Sequence, residues 1–178
     1  VAGSGTVFDP ATRALHSTLA GQVIIHENES TYRIDVENVL RLKDVDYSTG
    51  HIDFPWSVII EGTILDGFQV VSGGDIVVEK TVGSVTLRAK KDIQLGEGIT
   101  GRDRAFVTAG GNVFAKFVQG SVINAGGGIF IEEAVMLSRL LAGGDIVLDA
   151  GRGELIGGLA RAGRMVRARK IGSRLEVP

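Results

Sequence analysis

The chain has 178 residues, 44% of them hydrophobic, with 26 glycines, 3 prolines and no cysteine, so it can bury a core of its own but form neither disulfides nor thiolate metal sites. Its net charge of −2 gives no bulk attraction for nucleic acid. No apolar run reaches the ~18 residues that a bilayer-spanning helix needs.

Residues 1–50 carry four short β patterns, at Arg13–Ser17, Gln22–His26, Thr31–Val36 and Val39–Lys43. Asp9-Pro10 and the run His26-Glu27-Asn28-Glu29-Ser30 read as turns. These residues are expected to form a β-rich lead-in that caps the repeats beginning at residue 51, because an open solenoid end exposes strand edges.

From residue 51 to 178 the chain repeats itself. Gly-Gly-x-(Ile/Val) recurs at Gly73–Ile76, Gly110–Val113, Gly126–Ile129 and Gly143–Ile146, and Lys90-Lys91-Asp92-Ile93 fills the missing turn. The third residue of each string is an anchor: Ser57, Asp75, Asp92, Asn112, Gly128, Asp145 and Met165, spaced 16 to 20 residues apart. One past the anchor stand Val58, Ile76, Ile93, Val113, Ile129, Ile146 and Val166; three past it, Ile60, Val78, Leu95, Ala115, Ile131, Leu148 and Ala168. Five before it stand Ile52, Val70, Leu87, Val107, Ile123, Leu140 and Ala160; three before it, a mostly alanine column from Phe54 to Ala162.

The spacing of two within each turn is the strand period, with one face turned inward. Two short strands are thus expected to meet at a glycine corner that exploits glycine's tolerance of φ > 0. A unit of ~17 residues cannot bury its apolar face alone, and stacking neighbours buries it. The pattern predicts an all-β fold, a parallel β-helix of about seven turns over 51–178 and roughly 34 Å long at ~4.8 Å per turn. Two longer turns, Gly96–Arg104 and Asp149–Glu154, are expected to protrude as loops on one side. Val1 and Pro178 read as cuts, so the chain is expected to be part of a longer protein.

The segment Asp44-Val45-Asp46-Tyr47-Ser48-Thr49-Gly50-His51-Ile52-Asp53-Phe54 stands in order with Asp66-Gly67-Phe68, the Gly-Gly-Asp-Ile turns, Ala115-Lys116-Phe117 and Ile171-Gly172-Ser173. In this it resembles the flagellar assembly protein A family over nearly the whole chain. The resemblance implies a right-handed parallel β-helix in a bacterial cytoplasmic protein with a role in flagellar assembly or placement and no known catalysis. Trp56, Gly128 and Leu137 stand where the family pattern has Gly, Asp and His.

The carboxylates of Asp75, Asp92 and Asp145 are expected to bond local backbone N–H groups in the corner. Asp44, Asp46 and Asp53 form the densest acidic cluster; it reads as a solvated junction, with a divalent-ion or acid–base site as the alternative. His16, His26 and His51 have no ligand spacing. Ser48-Thr49-Gly50 lacks a nucleophile elbow, and no phosphate-binding loop is present. No catalytic residue, metal ligand or cofactor site is therefore predicted.

Charge is uneven. The first hundred residues carry 14 acids against 8 bases and the remainder 7 against 11. Arg161, Arg164, Arg167, Arg169, Lys170 and Arg174 crowd the last turns, where residues 161–178 reach a net of +5. Together with Arg102 and Arg104 in the first inserted loop, Arg161, Arg164, Arg167 and Arg169 are the candidates for binding a partner protein. The bland reading of the basic tail is a solvated outer face that discourages strand pairing at the end. No aromatic residue interleaves with these bases, which argues against a nucleic-acid platform. The reading is thus a non-catalytic scaffold. A self-assembling, homo-oligomeric rod, as in the bactofilins and MinC, is the alternative, and a β-helix enzyme acting on polysaccharide is a third.

Overall fold

The computed structural model describes residues 1–28 and 31–172. The chain is all-β, with no helix among the described residues, and divides into two compact units, Val1–Leu40 and Arg41–Pro178.

The first unit is built from antiparallel hairpins. Thr6–Asp9 pairs with Ala14–Ser17, and Gln22–Asn28 pairs with Thr31–Glu37. Asp9 closes the first turn by accepting the Ala11 N–H and the Thr12 hydroxyl. Asp35 is buried, and its carboxylate receives the Ser4 N–H, the Arg33 guanidinium and His26 Nε2 at 2.9 Å. Burial pushes that carboxyl up, but the Ser4 N–H and Arg33 outweigh it, and Asp35 lies below the ordinary carboxylate range.

The second unit is the solenoid, a stack of about seven coils joined by parallel ladders. Each coil has three faces rather than the two strands expected. Face A holds Ile52–Phe54, Gln69–Ser72 and Thr86–Ala89 and continues through the ends of the longer strands Gly98–Ala109, Val113–Ala125, Ile129–Ala142 and Glu154–Ala162. Face B follows the glycine corner, from Ser57–Ile60 through Ile76–Val78 and Ile93–Leu95 to Ile146–Leu148 and Val166–Ala168. Face C is short: Thr81–Val82 pairs with Gly98 and Ile99, and the series ends at Lys170–Ile171.

The interior is as dry as the columns require. Val58, Ile76, Ile93, Val113, Ile129 and Ile146 have no exposed surface, nor do Val70, Leu87, Val107, Ile123 and Leu140. Face C supplies a further buried column in Val45, Ile64, Val82, Ile99, Val118 and Val135. Each such side chain contributes roughly 1.5–3 kcal/mol by leaving water. The first coil forms despite Trp56, whose carbonyl accepts the Ser72 hydroxyl at 2.6 Å.

Two expectations need correction. The paired glycines of the corner do not have positive φ. They are small because coils stack so closely there. A Cβ on Gly110, Gly126 or Gly143 would strike the backbone carbonyl oxygen of the coil below. Left-handed residues gather instead at the corner between faces C and A, at Gly67, Arg102, Asp103, Gly120, Leu137, Gly157 and Gly158. The two insertions also leave at different corners. Arg102–Arg104 bulges between faces C and A, and the turn at Asp149–Gly153 lies between faces B and C. A two-strand repeat cannot separate these two corners, because the third strand is what lies between them.

Candidate protein-interaction surfaces

The acidic segment at the start of the solenoid is a structural turn. Asp46 Oδ1 accepts the Ser48 hydroxyl at 2.6 Å and the Ser48 N–H at 2.8 Å. Thr49 Oγ1 receives the Asp46 N–H, the Gly50 N–H returns to the Asp46 carbonyl, and Gly50 has φ 71°. The Ser48 hydroxyl, then its N–H, hold the Asp46 carboxyl below the usual range. Asp44 reaches the other way, accepting the Thr63 N–H of the next coil at 2.8 Å. Asp53 stands exposed on face A. The three carboxylates therefore do not converge. Among the described residues no group of three or more His, Asp and Glu is arranged to hold a metal. Tyr47 is exposed and meets Phe68 edge-on, and His51 packs on the same ring while its Nδ1 accepts the Gln69 N–H.

The anchor residues form a ladder from coil to coil. Asp75 Oδ1 accepts the Asp92 N–H at 3.1 Å, Asp92 Oδ1 the Asn112 N–H at 2.6 Å, and Asn112 Oδ1 the Gly128 N–H at 2.8 Å. Each side chain satisfies the anchor one coil on, rather than its own corner. The second glycine of the next corner makes room for it: a Cβ on Gly111 would strike Asp92, and one on Gly127 would strike Asn112. Gly128 breaks the ladder, and the Phe130 ring lies in the space a side chain there would fill.

The arginines of the last coils are mostly engaged by the coil below. Arg164 pairs with Asp145 at 3.0 Å, Arg167 with Asp149 at 3.3 Å, and Lys170 with Glu154 at 2.9 Å. Arg169 donates to the Gly151 carbonyl. Lys170, with help from Arg152, holds the Glu154 carboxyl low against the upward push of burial. Arg102 lies 3.6 Å from Asp66, and Arg104 lines a dip of about 290 Å³ with Asp66, Phe68 and Ser84. Arg161 is exposed on face A beside a groove of about 660 Å³ that runs along the glycine corner. Arg174 and Ser173 lie outside the described residues.

Two outward surfaces carry apolar side chains that the repeat does not mark. On face B the column two past the anchor runs Ile59, Val77, Gln94, Phe114, Phe130, Val147 and Arg167. Phe114 and Phe130 stack with centroids 5.2 Å apart at 14°. Asp75, Asp92 and Asp145 flank this stripe on one side, and Glu61, Glu79, Lys116, Glu132 and Asp149 on the other. On face A one outward column runs Gln69, Thr86, Phe106, Val122, Arg139 and Leu159; the other runs Asp53, Val71, Arg88, Thr108, Asn124, Leu141 and Arg161. Phe106 and Leu159 are about half exposed, at 51% and 52%. An amphipathic strand keeps such positions polar. Apolar residues at the even offsets from the anchor are the signal that could have found both surfaces in the sequence.

The chain matches the family model described as the Flagellar Assembly Protein A beta solenoid domain over residues 38–178. Neither a curated protein nor a solved structure gives a significant match.

Proposed function

The chain belongs to the FapA family of flagellar assembly β-solenoids, and from that premise we propose that it is a non-catalytic, cytoplasmic scaffold holding a partner protein during flagellar assembly or placement. The observation that carries this reading is the stripe on face B. Its stacked Phe114 and Phe130, with Val77 and Val147, present an apolar ridge on a surface fixed by coil-to-coil hydrogen bonds. Aromatic anchors on a rigid face are what binding hot spots are made of, since little side-chain freedom is lost on contact. Arg164, Arg167 and Arg169 close one end of this ridge. The exposed guanidiniums of Arg164 and Arg167 each lean on a single carboxylate, which leaves donors for an acidic partner. Arg102 and Arg104 form a second basic projection at another corner.

Deletion of the gene in a flagellated host tests the role. Flagellar number or position should change, and the parental gene should restore it. Phe114→Asp, expressed at the parental level, should not. Normal flagellation in the deletion strain, or full rescue by Phe114→Asp, would overturn the reading.

A further inference from the structure

Face A has a property that face B lacks: its charges and apolar residues are arranged about a centre. Thr108 occupies the fourth of seven rungs in its column, and Phe106 stands beside it on the same coil. Asp53 holds the first rung and Arg161 the seventh. Asp53 is the only carboxylate in either outward column, and Arg161 has no carboxylate partner among the described residues.

We infer that face A is a homodimer interface on which a second copy of this chain packs antiparallel, about a two-fold axis that runs along the strands through Thr108. That operation brings rung one of each copy against rung seven of the other. Asp53 then meets Arg161 of the second copy, twice over. Val71 meets Leu141, Arg88 meets Asn124, and Phe106 meets its own equivalent at the axis. No like charges are opposed. A two-fold along the rod would instead set Arg161 against Leu159 and leave Asp53 without a cation. A second copy is also the occupant whose rungs match by construction, since both rods repeat at ~4.8 Å and every contact made at one rung stays in step at the next.

An isologous contact of this kind closes on itself as a dimer and does not grow into a filament. The strands of face A span about 17 Å and seven rungs about 30 Å, or roughly 500 Å² per copy. The total of about 1,000 Å² lies at the lower bound of stable protein interfaces, so the dimer should be concentration-dependent. The inference goes beyond the scaffold role, which uses face B, and either can fail without the other.

Sedimentation velocity on the whole chain tests it. The parent should dimerise with rising concentration, and less at high salt. Asp53→Arg and Arg161→Asp should each raise Kd about tenfold or more, because each opposes like charges twice. The double variant should return Kd to near the parental value, since the pair is merely exchanged. Both positions are exposed, so melting curves taken at a concentration where the parent is monomeric should stay unchanged. The chain has no cysteine, which makes Thr108→Cys a direct probe: a short bismaleimide, which spans the ~10 Å between facing sheets, should link it into a covalent dimer, while Gln94→Cys on face B should not be linked. A parent that remains monomeric at millimolar concentration overturns the proposal. So does a double variant without rescue, or cross-linking through Gln94→Cys in place of Thr108→Cys.

Discussion

The two glycines of a corner answer to different neighbours. The first lies over a backbone carbonyl of the coil below; the second lies over that coil's anchor side chain. The anchor is therefore the residue on which the corner chemistry turns, and Asp92 tests it. Its Oδ1 accepts the Asn112 N–H at 2.6 Å, in a part-buried site. Asp92→Ala leaves that donor without its acceptor and should cost about 1–3 kcal/mol, read as a lower urea midpoint at unchanged slope. Asp92→Asn keeps the acceptor oxygen and should cost under about 1 kcal/mol, because Asn112 already performs the same task one coil on with an amide. Equal losses in the two variants would mean that the corner is held by something other than this bond. Leu137 shows the opposite case, a non-glycine at φ 47° in a corner where Gly67 and Gly120 take the left-handed conformation at less steric cost.

Faces A and B were legible because their strands are three or more residues long, sit on either side of a glycine marker, and keep the same inward offsets in every coil. Face C was not. Its strand is as short as Thr81–Val82, and the corners before and after it vary in length, so its offset drifts. Yet Val58 to Ile64, Ile76 to Val82, Ile93 to Ile99 and Ile129 to Val135 are all six residues apart, and only the fourth, sixth and seventh coils depart from this. The same gap in the repeat is why both insertions read as lying on one side, although they leave at different corners. The outward ridges were hidden for a different reason: a search for the core looks for apolar residues in inward columns, and Phe106, Phe114 and Phe130 occupy outward ones. The basic tail was legible as charge, but not as pairing, because Arg164 meets Asp145 only when a coil closes beneath it. Face C is a full member of the core, and Ile99 measures its share. It has no exposed surface and pairs with Val82 below and Val118 above. Ile99→Ala should cost about 2–5 kcal/mol in urea melts, as at a buried position of either longer face. A loss below about 1 kcal/mol would mark face C as a loosely held connector.

Over the whole molecule, carboxylates tie segments that lie far apart in sequence. Asp44 holds Thr63, Asp66 holds Ser84, and Glu154 holds Lys170, each across 16 to 19 residues. A solenoid's stability is close to a sum over such neighbour contacts. Acid acts on both units: Asp9 and Asp35 in the first, and Asp46 and Glu154 in the solenoid, all have folded carboxyls held below their ordinary values. For a group depressed in the folded state, the unfolded chain binds the proton more readily. Its stabilisation is therefore complete above the unfolded value, near 4, and is lost as pH falls through the lower folded value. The urea midpoint should thus be flat between pH 7 and 5 and fall steeply between pH 4 and 3. Asp46→Asn combined with Glu154→Gln removes two of the titrating groups and keeps their acceptor oxygens. The double variant should start lower than the parent at pH 7, lose less on acidification, and approach the parent near pH 3. An acid limb equally steep in both proteins would show that the loss comes from net positive charge on the chain rather than from these two carboxylates.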